Sequence, residues 1–297
     1  MSAGPRLPRA LALALAVAVA VGSEAALQVG FYNATCPIAE GVVFAEMHGI
    51  LHEDPTLAPS LLRMHYHDCF VQGCDASIML RSRRGTAERD ATPNRSMRGY
   101  DAIERIKAKL ETLCPLTVSC ADIIAMAARD AVYLSKGPWY GVETGRRDGN
   151  VTVAEYAEND LAPPDSTSWT DNGILPPPPP PPSTSREPQH RDLPLRGVQK
   201  RLYNFTGAME QDPSLDAGYA RQLRRLCPRR GRRGRTKSDG SLLHDAATKA
   251  YVQRMANASS PDEYYHDFAA AMVKMGRTEV LPDHLGEVRA TCGVFVD

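Results

Sequence analysis

A surplus of either charge is the first thing this sequence lacks. Its 297 residues carry 35 Lys and Arg against 35 Asp and Glu. Balanced charge removes the electrostatic footprint of a nucleic-acid binder and of a protein that docks on an acidic membrane. Aromatics are scarce at 6%, with 2 Trp, and runs with the alternating pattern of β-strands are few. Beyond the first residues no long apolar run occurs, so a polytopic membrane protein is excluded. The cysteine count is odd, at 7. Hydrophobic residues make up 43%, enough to bury a sizeable core in one large or two modest domains.

The N-terminus reads as a secretory signal over residues 1–26. Arg6 and Arg9 precede the apolar run Ala10 to Gly22, and small residues follow at Ser23, Ala25 and Ala26. The run is shorter than a membrane span requires. Five Asn-x-Ser/Thr triplets, at Asn33, Asn94, Asn150, Asn204 and Asn257, fit the same route. In an oxidising compartment cysteines are expected as disulfides rather than thiolate ligands.

Apolar spacing predicts a mostly α chain. One helix is expected from Pro37 to about Asp54, with Pro37 in its first turn, and a second from Leu57 to His67. Asp68 to Met97 has loop chemistry. Two further helices are striped by Tyr100, Ile103, Ile106 and Leu110, then by Ala121, Ile123, Ile124, Met126 and Ala127. Helical patterning returns at Asp245 to Met255 and at Asp262 to Met275. Between them composition changes abruptly. The run Pro176 to Pro182 cannot be α-helix, because proline lacks the amide donor, and reads as an irregular polyproline segment. The arginine cluster from Arg221 to Lys237 reads as a solvated loop.

The chemistry lies in Arg63-Met-His-Tyr-His67-Asp68-Cys69-Phe-Val71-Gln-Gly73-Cys74-Asp75-Ala-Ser77. Arg63 and His67 fall one helical turn apart on one face. An imidazole beside a permanent cation is a general base paired with an electrostatic stabiliser. Asp68, Asp75 and Ser77, with the carbonyls of Val71 and Gly73, offer the mixed oxygen donors that suit calcium. A zinc set of His65, His67, Cys69 and Cys74 is the competing arrangement; a Cys69–Cys74 disulfide would remove it.

This stretch resembles the distal side of plant class III (secretory) haem peroxidases. So do Val29-Gly-Phe-Tyr-Asn-Ala-Thr-Cys36-Pro, Ala87-Glu88-Arg-Asp-Ala-Thr-Pro-Asn94, Val118-Ser-Cys120-Ala-Asp122, Gly145-Arg-Arg-Asp148 and Gly286-Glu-Val-Arg-Ala-Thr-Cys292. The resemblance implies the haem-peroxidase fold, with two helical lobes around a haem cleft and an irregular Pro-rich insert. Its segments are the signal (1–26), a distal lobe (27–165), a non-matching Pro-rich segment (166–200) and a partial proximal lobe (201–297). It implies haem b and calcium as cofactors, hydrogen peroxide and small, phenolic reductants as partners, and a monomeric protein of the cell wall or apoplast.

By the same resemblance, His67, Arg63 and Asn94 are the catalytic residues, with Asn94 accepting a hydrogen bond from the His67 ring. That role buries Asn94 and excludes a glycan there. Calcium is held by Asp68, Val71, Gly73, Asp75 and Ser77, with Glu88 reaching it indirectly. The implied disulfides are Cys36–Cys114, Cys69–Cys74 and Cys120–Cys292, leaving Cys227 single. The carbonyl of Ala162 is the implied contact for the reductant. Tyr66 stands where the family usually has phenylalanine.

The family's iron-binding helix, approximately His-Thr-x-Gly-x-x-His-Cys, has no counterpart between Asp165 and Arg201. Only His190 falls there, flanked by prolines, while Asp239 matches the carboxylate that would orient the missing ligand. The family pattern also breaks at residues 228–237. Two abrupt edges, each followed by a return of the pattern, have the character of a splicing or reading-frame change. The alternative to an active peroxidase is therefore an inactive extracellular relative or a mis-spliced product.

Overall fold

The computed structural model describes residues 27–161 and 246–296, with Leu202, Tyr203, Gly218, Ala220, Arg221 and Arg224 as isolated positions. The fold is mostly helical, as the sequence predicts. Helix α1 spans Ala39–Glu53, α2 Ala58–Cys69, α3 Tyr100–Leu113 and α4 Cys120–Leu134. Then come α5 (Ala154–Asp160), α6 (Ala246–Ala256) and α7 (Asp262–Met275). A single antiparallel pair joins β1 (Gln28–Val29) to β2 (Glu143–Thr144).

Helix α4 is the axis of the described core. Every residue from Cys120 to Ala131 is buried, as expected where helices surround another on all sides. Ser119 starts it, its hydroxyl accepting from the Asp122 amide at 3.2 Å. Helices α1 and α2 lie against α4, and α3 packs on α1. Val43, Met47 and Ile50 of α1 meet Ile103, Ile106 and Leu110 of α3 in one apolar cluster. From α7, Tyr264, Phe268 and Met272 join the same cluster.

Two sequence boundaries differ. Pro37 lies before α1, two residues ahead of its first turn, rather than inside it. Helix α2 runs past His67 to Cys69, so Asp68 and Cys69 are helical rather than loop residues. The added turn is tied at both edges: Cys69 is bonded to Cys74, and Asp68 Oδ2 accepts from the Ala76 amide at 3.1 Å.

All three expected disulfides form: Cys36–Cys114, Cys69–Cys74 and Cys120–Cys292. The last reaches across 172 residues of sequence. It belongs to a wider return of the chain end onto its first half. Arg81 bridges Phe295, Asp148 bridges Glu287, and Arg146 donates to the Gly276 carbonyl at 3.0 Å through Nε. The calls on the signal (1–26), the Pro-rich stretch, Ala162, His190, Asn204, Cys227 and Asp239 lie outside the described residues, as does most of the arginine cluster.

Candidate active site on helix α2

Helix α2 carries chemistry on one side and packing on another. Leu61, Met64, His65 and Asp68 are buried, at the three- and four-residue spacing of a helix face. Arg63 and His67 stand one turn apart beside that face, and Arg63 Nε donates to His67 Nε2 at 3.1 Å. The guanidinium is held from its other nitrogens: Nη2 donates to the Pro93 carbonyl at 2.6 Å and Nη1 to Ser96 Oγ at 3.1 Å. These two anchors were not legible in the sequence, although the implied Asn94–His67 contact already placed the 92–96 turn against α2.

The short helical turn Thr92–Asn94 brings Asn94 against His67. Asn94 Oδ1 lies 2.6 Å from His67 Nδ1, and its Nδ2 donates to the Glu88 carbonyl at 2.8 Å. These contacts settle the tautomer. Arg63 can only donate, so His67 Nε2 is the lone-pair nitrogen and Nδ1 carries the proton given to Asn94. Burial lowers the His67 pKa to about 4, the Arg63 charge adds to the effect, and the Asn94 contact opposes it. At neutral pH the ring is therefore an uncharged base with its acceptor nitrogen beside a cation.

Asn94 is 1% exposed, as its implied role demands, whereas Asn33, Asn150 and Asn257 are exposed. The zinc arrangement does not form. Cys69 and Cys74 are consumed in a disulfide, and the two histidines diverge. His67 turns to Asn94 and Arg63, while His65 lies sealed in the core with Arg146, which helps burial hold its pKa down to about 3.

Below the base, Asp68, Asp75, Ser77 and Glu88 are all buried. Ser77 Oγ donates to Glu88 Oε2 at 3.1 Å, and the Ser77 amide donates to Asp75 Oδ1 at 2.9 Å. Gly73 takes φ +109, and a Cβ there would strike the Glu279 carbonyl, so this bend needs glycine. Among the described residues no three His, Cys, Asp or Glu side chains already converge as a formed metal site. The donor set nevertheless fits a hard cation. Asp68 Oδ1 is buried without a hydrogen-bond partner. Burial, with the neighbouring Asp68 and Asp75 charges, raises the Glu88 pKa to about 9; burial also raises Asp68 and Asp75. Three carboxylates sealed together with so little compensation match a site built around a divalent cation.

A second buried network supports α2 from behind. Asp122 takes Arg146 Nη1 at 2.8 Å, the Tyr32 hydroxyl at 2.6 Å and the Gly145 amide at 2.7 Å. Asp148 accepts from the amides of Ala121 and Arg289, each at 2.9 Å. These are the carboxylates and arginines of the quoted Val118–Asp122 and Gly145–Asp148 motifs, whose structural work only the fold reveals.

A family model described as Peroxidase matches residues 43–190. The chain is 42% identical to Peroxidase 1 of Oryza sativa subsp. japonica over 316 residues, covering 92% of this chain and 94% of that protein. It is 38% identical to Peroxidase 30 of Arabidopsis thaliana and to Peroxidase 5 of Vitis vinifera, covering 92% of this chain and of each relative. The chain belongs to the plant class III peroxidase family. Its enzyme class is accordingly that of a peroxidase, an oxidoreductase. The aligned 316 residues exceed this chain's own 297, so the rice relative carries residues that this chain skips. The family match stops at residue 190, the histidine of the proline-rich stretch.

Proposed function

We propose that this chain is a secreted haem peroxidase that uses hydrogen peroxide to oxidise small phenolic reductants, with His67, Arg63 and Asn94 as its catalytic residues. The observation carrying this reading is the triad in which Arg63 Nε, His67 and Asn94 Oδ1 are joined at 3.1 and 2.6 Å, with His67 and Asn94 buried and Arg63 half-buried. A neutral imidazole with its lone pair beside a guanidinium suits deprotonation of a weakly acidic peroxide. His67 Nε2 takes the proton from the near oxygen and returns it to the departing one. Arg63 stabilises the negative charge that grows as the O–O bond breaks, a contribution of about 3–4 kcal/mol where such a group is well aimed. Asn94 keeps the His67 ring in the tautomer this transfer needs.

Haem, when bound, supplies the two-electron redox chemistry that splits the peroxide. The distal residues fit that group through the chemistry of the triad. No iron ligand is assigned, because His190, the one histidine between Asp165 and Arg201, is flanked by prolines rather than by a helical pattern; the Ala162 carbonyl is the proposed reductant contact. Calcium is proposed on Asp68, Val71, Gly73, Asp75 and Ser77, with Glu88 acting through Ser77. The signal-like residues 1–26 and the exposed Asn33, Asn150 and Asn257 support secretion to the cell wall. Among the described residues no helix is long and apolar enough to cross a membrane.

A second reading, an inactive extracellular relative that keeps the calcium-bound half, has its own support. Six cysteines pair among themselves, Cys227 has no partner left, and the proximal His-Thr-x-Gly-x-x-His-Cys pattern is missing from the sequence. Haem reconstitution of the full chain decides between them. A Soret band with guaiacol oxidation is the expected result. Absence of haem uptake overturns the peroxidase reading.

A further inference from the structure

Tyr66 sits between the base and the segment that leads to the proposed reductant contact. On one side its ring meets His67 edge-on, with centroids 5.5 Å apart. On the other it lies on Phe70 at 4.2 Å. Both aromatic rings pack on a small apolar cluster of Val71, Ala91, Ala157 and Leu161, and Leu161 immediately precedes Ala162. A phenyl ring alone would supply this packing.

The hydroxyl is the unexplained part. Other tyrosines use theirs structurally: Tyr32 donates to Asp122 at 2.6 Å and Tyr251 to Asp267 at 2.9 Å. Tyr100, Tyr140 and Tyr264 have theirs sealed without a partner. Tyr66 does neither. It is half-buried, no hydrogen bond from its hydroxyl is made to any described residue, and the oxygen is not sealed off. The ring of Tyr66 thus lies against the catalytic base while its O–H is left open, in a protein whose proposed substrates are phenols.

We propose that Tyr66 is an internal phenolic reductant, passing electrons between the external phenol and the peroxide-oxidised site. Peroxide takes two electrons and two protons to become two waters. Tyr66 supplies one electron and, as its O–H bond breaks, the accompanying proton, which leaves through the solvent that the hydroxyl meets. The residue becomes a neutral tyrosyl radical. One external phenol supplies the second electron and proton, and another re-forms the Tyr66 O–H bond by giving up its own hydrogen. Two phenols are oxidised per peroxide, so the overall reaction is unchanged while its route passes through the protein. The inference rests on the peroxidase reading above.

The test uses the full chain loaded with haem and treated with peroxide without added phenol, in the presence of a nitroso spin trap. Peptide mass spectrometry then locates the adduct. The expected result is an adduct on the peptide carrying Tyr66, lost in Tyr66→Phe and kept in Tyr100→Phe. A rapid-freeze tyrosyl signal by electron paramagnetic resonance should vanish in the same variant. Haem-loaded protein that consumes peroxide but carries no adduct at Tyr66, or keeps the same signal in Tyr66→Phe, overturns the proposal alone. Failure of the unmodified chain to take up haem overturns the peroxidase reading and this proposal with it.

Discussion

His67 and Asn94 form the joint between two sites. The 2.6 Å contact of Asn94 Oδ1 with the His67 ring continues, through the Asn94 amide, to the carbonyl of Glu88, whose carboxylate takes Ser77. The base of the triad is therefore fastened to the backbone of the acidic cluster, and a cation bound there would stiffen the residue that orients the base.

Replacing Asn94 by Ala should release the His67 tautomer and leave a buried ring N–H unpaired. The cost is about 1–3 kcal/mol of stability, with a fall in kcat/KM for peroxide. Thermal unfolding and steady-state kinetics read the two effects separately. A variant with unaltered peroxide kinetics would remove Asn94 from the catalytic set.

Acid should switch the base off. His67 is neutral until pH falls to about 4, so peroxide turnover should hold through mildly acidic conditions and decline below that point. Stability follows the same direction. The unfolded chain binds a proton at His67 near its ordinary 6.5, while the folded chain resists until about 4. As pH drops through that window the unfolded state gains protons that the native state does not, and stability is lost. A pH series of activity and urea unfolding checks both. In Asn94→Asp a carboxylate would favour the imidazolium, moving the acid limb to higher pH.

Arg63→Leu should lower kcat/KM for peroxide by about 10²–10³-fold, the usual loss when a charge-stabilising donor is removed. Arg63→Lys should recover part of it, since the charge survives but the contacts to Pro93 and Ser96 do not both form. Stopped-flow kinetics at a single salt concentration would measure the ratio. Equal rates in all three proteins would refute the assigned role.

Calcium removal should loosen the base without touching it. Chelation of the full chain is expected to lower Tm and slow the peroxide reaction, with recovery on adding calcium but not magnesium, which is reluctant to shed its waters. Asp68→Asn should abolish the calcium-dependent part of Tm. Calorimetry with and without chelator gives the comparison.

Glycan mapping of the protein expressed through a secretory route should find sugar at exposed Asn33, Asn150 or Asn257 and none at Asn94. Occupancy at Asn94 by intact-glycopeptide mass spectrometry would contradict the buried position of its side chain.

Much of this site was legible before any coordinates. The four-residue interval between Arg63 and His67 places them together on any α-helix, whatever surrounds it. The helical stripes of α3, α4 and α7 and the six cysteines that pair were likewise local or motif-level signals. Helix ends were less readable. Asp68 and Cys69 look like loop residues by composition, and they are helical because a disulfide and the hydrogen bond from the Ala76 amide to the Asp68 carboxylate hold the last turn.

The amino-acid order by itself determined that a base and a cation share one helix face, that oxygen donors follow them, and that the chain is mostly α. Only the tertiary structure decided which nitrogen of His67 is the acceptor, that Pro93 and Ser96 anchor Arg63, and that Tyr66 keeps an unemployed hydroxyl. The reason is range. Helical periodicity acts over four residues, whereas the contact from Asn94 to His67 spans 27 in sequence and the Cys120–Cys292 bond 172. Such contacts exist only once packing on α4 has brought distant segments to the same place.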